Sequence, residues 1–350
     1  MISVLRATAR FVEQRIGWQR IGLVVSITII AVALMVLYRV LHEINVRDVV
    51  AALKAVSYAD IALAGVFVAA GYFTLTFYDM FGLRTIGRGY VPYHVASLAA
   101  FTSYAVGHNL GASVITGSAV RYRIYSAWGL DLIDVAKISF VAGLTFWLGN
   151  AAMLGLGVTF LPGAASEVDQ LPAWANRILA IVILIALAVY ISWVWRAPRE
   201  IGRSNWKVTL PGGPATLVQI GIGLVDLTCC AAAMYVLVPD EPHIGFVTLG
   251  VIFVSATLLG FASYAPGGIG VFDAAMLIAL WQFDKEGLLA GLLLFRLVYY
   301  IVPFALALVL LGLREVVPSF HALHAPPASF VKPVAADAAP DKADEKCDAV

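Results

Sequence analysis

Long apolar runs separated by short polar segments are the dominant pattern of this chain. A helix needs about 20 mostly apolar residues to cross a lipid bilayer. Runs of that length occupy 21–41, 59–82, 135–161, 176–195, 216–238 and 287–313. Two further apolar segments, 93–128 and 245–282, are interrupted by glycine, proline and polar residues. The pattern predicts an all-α, polytopic integral membrane protein with six full spans.

The charges of the loops predict how these spans are oriented. The N-terminal arm and the loops 82–92 and 196–215 carry arginine or lysine, whereas the loops 162–175 and 239–244 carry acidic residues and no basic one. Cytoplasmic loops of membrane proteins are enriched in lysine and arginine. We therefore expect both termini in the cytoplasm and the acidic loops outside.

With this orientation, each interrupted segment must enter and leave the membrane on the same face. We predict a re-entrant helical hairpin opening inward at 93–128 and another opening outward at 245–282. The order span, hairpin, span then occurs at 59–161 and again, inverted, at 216–313. Such inverted repeats are typical of alternating-access carriers. Eight spans kinked at the glycines are the alternative.

Composition and charge indicate the class of protein and the bounds of its domains. Apolar residues make up 61% of the chain, charged residues 13%, and the net charge of +1 gives no reason to expect nucleic acid. We expect a basic cytoplasmic arm at 1–20, a membrane domain at 21–315 and a disordered cytoplasmic tail at 316–350. The sequence has no metal-ligand spacing and no nucleotide-binding or nucleophile motif, so no catalytic residue, metal or cofactor is predicted.

The first interrupted segment contains the polar run Ser103–Ser126 with two arginines. Gly107 and Gly111 are predicted hinges at its tip, because glycine permits a tight backbone turn. An arginine side chain can bind phosphate through two parallel hydrogen bonds. The candidates for binding a lipid head group here are Tyr104, His108, Asn109, Arg121 and Arg123. Alternatively, the arginines anchor the helix at the cytoplasmic edge, and His108 serves packing or capping.

The second interrupted segment turns at a proline and several glycines, with ionisable residues nearby. Its predicted hinges are Pro266, Gly267, Gly268 and Gly270. Ionisable residues inside a membrane are usually paired or functional. Arg296, the sixth head-group candidate, could instead pair with the intramembrane acids Asp226 or Asp273. A third such acid, Asp79, has Arg84 and Arg121 as candidate partners.

At these motifs the chain resembles the lysylphosphatidylglycerol synthase transmembrane family, the flippase portion of the multiple peptide resistance factor. The resemblance covers about 20–315 and rests on Tyr78-Asp79-x-x-x-x-Arg84, on the segment from Ser103 to Leu130 and on SYAPGGIGVFDAAML from Ser263 to Leu277. It implies a bacterial inner-membrane protein that moves aminoacylated phosphatidylglycerol, or a related lipid, between leaflets. Full-length members also carry a cytosolic aminoacyltransferase domain, which we expect to be missing because the chain ends at Val350.

Three functions are therefore considered. The leading one is a lipid translocase whose partner is membrane phospholipid. The second is a membrane-embedded lipid-modifying transferase, or the membrane partner of a separately encoded lipid synthase or aminoacyltransferase. The third is a small-solute carrier, which fits the repeat but not the family resemblance. The sequence leaves a homodimer, the head group and the energy source open.

Overall fold

The computed structural model describes residues 46–110, 113–196, 199–203, 206–263 and 265–316. The predicted arm 1–20, the predicted span 21–41 and the tail 317–350 lie outside the described residues. Helices make up nearly all of the described part, which confirms the prediction of an all-α, polytopic membrane protein.

The helices are numbered in chain order. They are α1 (Val46–Ala55), α2 (Tyr58–Thr85), α3 (Tyr93–Leu110), α4 (Ser113–Tyr125), α5 (Leu132–Phe160), α6 (Pro162–Asp169), α7 (Ala173–Arg196), α8 (Gly213–Leu237), α9 (Phe246–Ala262), α10 (Val271–Ala279), α11 (Lys285–Phe295) and α12 (Val302–Val316). A π-helical turn, Arg296–Ile301, joins α11 to α12. Two short strands, β1 (Arg199–Arg203) and β2 (Trp206–Leu210), lie between α7 and α8.

Five helices of the described part are long and apolar enough to span a membrane. They are α2, α5, α7, α8 and the joined helix Lys285–Arg314. These helices match five of the six predicted spans, with ends within three residues of the prediction. The helices extend beyond the apolar runs because polar residues cap them. Ser57 accepts a hydrogen bond from Ala59 N at 3.1 Å, and Asp131 accepts one from Asp134 N at 2.7 Å.

Each interrupted segment forms two shorter helices. The first comprises α3 and α4, and its break, with Gly111, lies outside the described residues. The second comprises α9 and α10, separated by a turn in which Gly267, Gly268 and Gly270 have φ of 58°, 61° and 83°. Such positive φ values favour glycine. The nine residues of α10 extend about 14 Å, less than half of a bilayer core, so α10 by itself is too short to span it.

Helix α8 lies between α2 and α5 and binds the two predicted repeats together. On the α5 side, Gly149 and Gly223 allow the two backbones to touch. On the α2 side, Gly71 leaves room for Cys229. Since α2 and α5 belong to the first predicted repeat and α8 to the second, the core of the protein is formed where the repeats meet.

The strand pair between α7 and α8 was not predicted, because the charges of 196–215 indicated only a basic loop. Strands β1 and β2 are antiparallel, with Ile201 opposite Val208. Val208 and Leu210 are buried, and the Trp206 ring packs edge-on against Phe140 of α5 at 5.4 Å. The alternation of apolar and polar residues from Trp206 to Leu210 is the signal that could have indicated a strand.

The close approach of α5 and α8 makes a testable prediction. Gly223→Ala should lower the thermal unfolding midpoint, because its Cβ would lie 2.8 Å from Gly149 Cα and 2.9 Å from the Thr145 carbonyl oxygen. Overpacking of this kind destabilises by about 1–3 kcal/mol. Gly221→Ala is the control on the same helix, since nothing lies within 4 Å of its Cβ and alanine favours helix. Equal midpoints for the two variants, measured by circular dichroism in detergent, would contradict the contact.

Candidate functional site

The first ion pair of the core joins α4 to α2. Arg121 donates two hydrogen bonds to the Asp79 carboxylate, from Nε to Oδ2 at 2.9 Å and from Nη2 to Oδ1 at 2.7 Å. Tyr125, one helical turn after Arg121 and on the same face of α4, donates to Asp79 Oδ2 at 2.9 Å. Asp79 is completely buried, and Arg121 is 5% exposed. Of the two partners considered for Asp79, Arg121 and not Arg84 is the one that binds it.

The second ion pair joins the π-helical turn to α10. Arg296 binds Asp273 through both carboxylate oxygens, from Nε to Oδ1 at 2.9 Å and from Nη2 to Oδ2 at 2.6 Å. Its third nitrogen, Nη1, donates to the Gly267 carbonyl at 3.2 Å. Asp273 also accepts a hydrogen bond from Gly270 N at 3.0 Å and so caps α10. Of the two partners considered for Arg296, Asp273 is the one that binds it.

The two ion pairs have opposite polarity. In the first, the hairpin supplies the arginine and the long span supplies the aspartate. In the second, the hairpin supplies the aspartate and the long helix supplies the arginine. Each pair ties the second helix of one hairpin to a long helix. In each pair the aspartate carboxylate binds the donors of the guanidinium that were predicted to bind a lipid phosphate.

The tips of the two hairpins meet. A Cβ built on Gly267 would lie 3.6 Å from the His108 carbonyl oxygen, which is ordinary van der Waals contact between the two turns. Asn109, beside His108, donates from Nδ2 to the Tyr300 carbonyl of the π-helical turn at 3.0 Å. The His108 ring stacks on Tyr299 at 6.2 Å, and its buried Nδ1 has no hydrogen-bond partner among the described residues. In this conformation His108 is therefore packed against an aromatic ring, in agreement with the alternative that its role is packing.

Asp226 lies in the middle of α8 and is buried. Tyr78 donates to its Oδ2 at 3.0 Å, and the Cys230 thiol lies 3.9 Å from its Oδ1. No ion pair to Asp226 occurs within the part of the chain that the structure describes. The third intramembrane acid therefore differs from the other two in having only neutral partners.

Aromatic rings connect Asp226 to both ion pairs. On one side the Tyr78 ring meets Tyr104 edge-on at 5.9 Å, and the Arg121 guanidinium lies 4.8 Å from the centre of the Tyr104 ring. On the other side the Cys230 thiol lies 3.5 Å from the Tyr299 hydroxyl. Tyr299 packs on Tyr300, whose ring lies 5.7 Å from the Arg296 guanidinium. We call this set the polar core path; it comprises Asp79, Arg121, Tyr104, Tyr78, Asp226, Cys230, Tyr299, Tyr300, Arg296 and Asp273.

Several of the predicted site residues lie outside the polar core path. Arg123 is exposed near the end of α4, where its carbonyl accepts a hydrogen bond from Arg314 at 3.4 Å. Its exposure sets it apart from Arg121, two residues earlier, and agrees with the alternative of an anchor at the membrane edge. Gly107 is buried within α3, and Pro266 begins the turn that carries Gly267, Gly268 and Gly270.

A further ion pair lies at one edge of the bundle, outside the core. Arg88, in the loop between α2 and α3, binds Asp134 at the start of α5 with Nη2 to Oδ2 at 2.8 Å. Burial alone would lower the pKa of the Arg88 guanidinium, but the Asp134 carboxylate outweighs this and raises the pKa above its ordinary value. The loop is thereby held to α5 by a permanently charged arginine.

Comparison with known proteins identifies the family. No family model matches the chain. Phosphatidylglycerol lysyltransferase of Staphylococcus aureus strain COL is 26% identical over 282 residues, which are 78% of this chain and 32% of that protein. Inner membrane protein YbhN of Escherichia coli K12 is 32% identical over 225 residues, which are 62% of this chain and 69% of that protein. The chain belongs to the lysylphosphatidylglycerol synthase-like membrane family.

Membership of the lysylphosphatidylglycerol synthase-like family confirms the resemblance found in the motifs. A Synechocystis relative, uncharacterized protein slr0712, matches over 276 residues, 79% of this chain and 85% of that protein, at 27% identity. The chain spans about a third of the lysyltransferase, so that enzyme's activity does not come with the match. A multi-pass membrane protein with a function related to membrane lipids is what the relatives support.

Sequence reasoning missed Tyr78, Tyr125, Tyr299 and Tyr300 and the contacts of Cys230. For three of these tyrosines a signal was present: Tyr125 follows Arg121 by four residues, and Tyr299 and Tyr300 follow Arg296 by three and four. Tyrosines at these spacings share a helix face with the charged residue. Tyr78 is adjacent to Asp79 and does not share its face, so no spacing indicated its bond to Asp226. The sequence contained no signal for Cys230, whose thiol contacts both Asp226 and Tyr299.

Proposed function

We propose that this protein moves a phosphatidylglycerol-derived phospholipid, with or without an aminoacyl group, between the leaflets of a bacterial inner membrane. The observation that carries the proposal is the pair of hairpins whose tips meet in the core, each tied to a long helix by a buried Arg–Asp pair. A lipid head group needs a polar route through the bilayer, and the polar core path supplies charged and hydroxyl groups along such a route.

The ion pairs supply the chemistry for binding a lipid phosphate. A guanidinium binds carboxylate and phosphate with the same two parallel hydrogen bonds, so a phosphate can replace Asp79 or Asp273 without loss of bonds. The aspartate then holds the arginine in place while no lipid is bound. The Arg296 side chain is 16% exposed and that of Arg121 only 6%, so the lipid phosphate would reach Arg296 with less movement of the helices.

The remaining candidates have supporting roles in this proposal. Tyr104 lies against the Arg121 guanidinium and His108 and Asn109 line the contact between the tips, so all three border the route of the head group. The glycines Gly107, Gly267, Gly268 and Gly270 let the hairpins change their packing. The acyl chains would stay in the bilayer, because α7 presents exposed aliphatic side chains along its length and α8 presents a few.

The proposed orientation places both termini and the loop at 196–215 in the cytoplasm. The basic residues Arg196, Arg199 and Lys207 flank or belong to the strand pair β1–β2, where anionic lipid head groups would attract them. The loops at 162–175 and 239–244, which carry Glu167, Asp169 and Asp240, would then face outward. The two hairpins open to opposite faces in this arrangement, as alternating access requires.

Transport in reconstituted vesicles tests the function. Purified protein in liposomes with a trace of fluorescent phosphatidylglycerol should let external dithionite quench lipid from both leaflets, whereas protein-free vesicles lose only the outer share. Labelling a cysteine introduced at position 203 reports the sidedness of the inserted protein. Quenching identical to that of protein-free vesicles would reject the translocase.

A second function is favoured by the name of the Staphylococcus relative. The chain would in that case act as the membrane partner of a separately encoded lipid synthase or aminoacyltransferase, with the polar core path holding its lipid product. Vesicles that quench like protein-free ones, together with co-purification of a lipid-modifying activity from the native membrane, would favour this function.

A further inference from the structure

The three buried acids of the core are not equivalent. Asp79 and Asp273 each bind an arginine through both carboxylate oxygens, so their charges are compensated. Asp226, 5% exposed, has no cationic partner among the described residues. A buried carboxylate without compensation strongly destabilises a protein, and within a membrane the surroundings offer even less solvation. The described residues thus supply no fixed counter-charge to Asp226, so a mobile, positively charged ligand has to neutralise it.

The groups that face Asp226 are hydroxyls and thiols. From α2 come Tyr72, Thr74 and Tyr78, from α3 comes Tyr104, from α8 itself come Cys229 and Cys230, and from the π-helical turn comes Tyr299. All of these are neutral donors or acceptors. A Ca²⁺ ion would need six or more oxygen ligands, several of them carboxylates, and the described residues contain no group of three or more His, Cys, Asp or Glu side chains that could hold a metal ion. An ammonium head group would need space that a carboxylate packed against Gly71 and Cys230 does not offer in this conformation. A proton needs neither ligands nor space.

We propose that Asp226 is a proton-binding site that couples lipid movement to the pH difference across the membrane. The step is the uptake of one proton by the carboxylate, which becomes a neutral carboxylic acid, and its later release on the other side. The Tyr78 hydroxyl, now a donor to Oδ2, can accept a hydrogen bond from the protonated acid after its O–H rotates. This proposal rests on the proposed function for its coupling, but not for its proton site.

The position of Asp226 lets one proton influence both hairpins. Through Tyr78 and Tyr104 it adjoins the Arg121–Asp79 pair, which holds the first hairpin. Through Cys230 and Tyr299 it adjoins the turn that carries Arg296, which holds the second. Protonation reverses the direction of the Tyr78 hydrogen bond and removes the negative charge of Asp226, which lies between the two pairs along the polar core path. The balance between the two pairs then depends on which side last supplied the proton.

The first arm of the test measures the proton itself. Infrared difference spectra of the purified protein in detergent, recorded between acidic and alkaline pH, should show a protonated carboxyl band that is absent in Asp226→Asn. Asp226→Glu should keep a titrating band at a shifted frequency, and Thr228→Val, on the exposed side of the same helix, should leave the band unchanged. A wild-type spectrum identical to that of Asp226→Asn would overturn the proton site. If Asp226→Asn folds poorly, a shift in band frequency between the wild-type protein and Asp226→Glu still identifies Asp226 as the titrating carboxyl.

The second arm measures coupling in vesicles with an imposed pH gradient and a clamped membrane potential. One proton exchanged per lipid shifts the steady-state leaflet ratio of fluorescent phosphatidylglycerol about tenfold for each pH unit. Asp226→Asn should move lipid to the same ratio with or without the gradient. A wild-type ratio that ignores the gradient would overturn the coupling while leaving translocation intact. Vesicles without any translocation, together with a titrating band in the first arm, would reject the proposed function and leave the proton site standing.

Discussion

Arg121→Ala should destabilise the protein by about 3–5 kcal/mol, because it leaves the Asp79 carboxylate buried without its cation. Asp79 has no solvent exposure, and Tyr125 alone would remain to bind it. The loss should appear as a lower midpoint in thermal unfolding followed by circular dichroism in detergent. Arg123→Ala is the matched control, since Arg123 lies two residues along the same helix with an exposed side chain and should change the midpoint little.

The double variant Asp79→Asn with Arg121→Gln separates the charge from the packing. Removing both members of a buried pair is often close to neutral, whereas removing one is strongly destabilising. The double variant should therefore recover more than half of the stability that Arg121→Ala loses. An unchanged midpoint for Arg121→Ala would mean that the pair contributes nothing to the fold. A double variant as unstable as the single one would mean that packing by the arginine stem, and not its charge, is what matters.

Arg296→Lys should slow lipid movement about tenfold or more while the protein still folds. Arg296 holds both oxygens of Asp273 and the Gly267 carbonyl at once, and lysine cannot reproduce this planar arrangement of donors. A charge-assisted hydrogen bond is worth about 1.5–3 kcal/mol, which corresponds to at least a tenfold change in rate if the bond forms at the slow step. Initial rates of dithionite quenching in liposomes measure the effect. Arg84→Lys, at an exposed position of α2, should transport at the parent rate.

Two outcomes would contradict the binding of a lipid phosphate by the Arg296 guanidinium. If Arg296→Ala abolishes folding and the charge-swapped variant Asp273→Arg with Arg296→Asp restores it together with transport, the arginine serves structure alone. If Arg296→Lys and Arg121→Lys both transport lipid at the parent rate, binding of phosphate by the guanidinium plane is wrong, and positive charge at these positions is sufficient.

The five long apolar helices of the described residues could be predicted from the sequence. Apolar runs of about 20 residues locate spans because the bilayer core has a fixed thickness and every backbone group within it must bind another. For the same reason the interrupted segments were recognised, and α3–α4 and α9–α10 lie within the predicted ranges. The pattern of apolar residues was sufficient to locate helices, because each helix satisfies its own backbone hydrogen bonds. It did not indicate the strand pair β1–β2, which packs against α5.

The partners of the charged residues follow from the packing of the helices and not from the order of the residues along the chain. Five ionisable residues can be placed within apolar segments from the sequence, and most of them can be expected to be paired: Asp79, Asp226, Asp273, Arg121 and Arg296. Which acid binds which arginine depends on helix packing between residues 42 and 23 positions apart. That packing also brings the hairpin tips together and leaves Asp226 with neutral partners, because the arginine available on each side is already bound. No pattern along the chain contains this competition for partners.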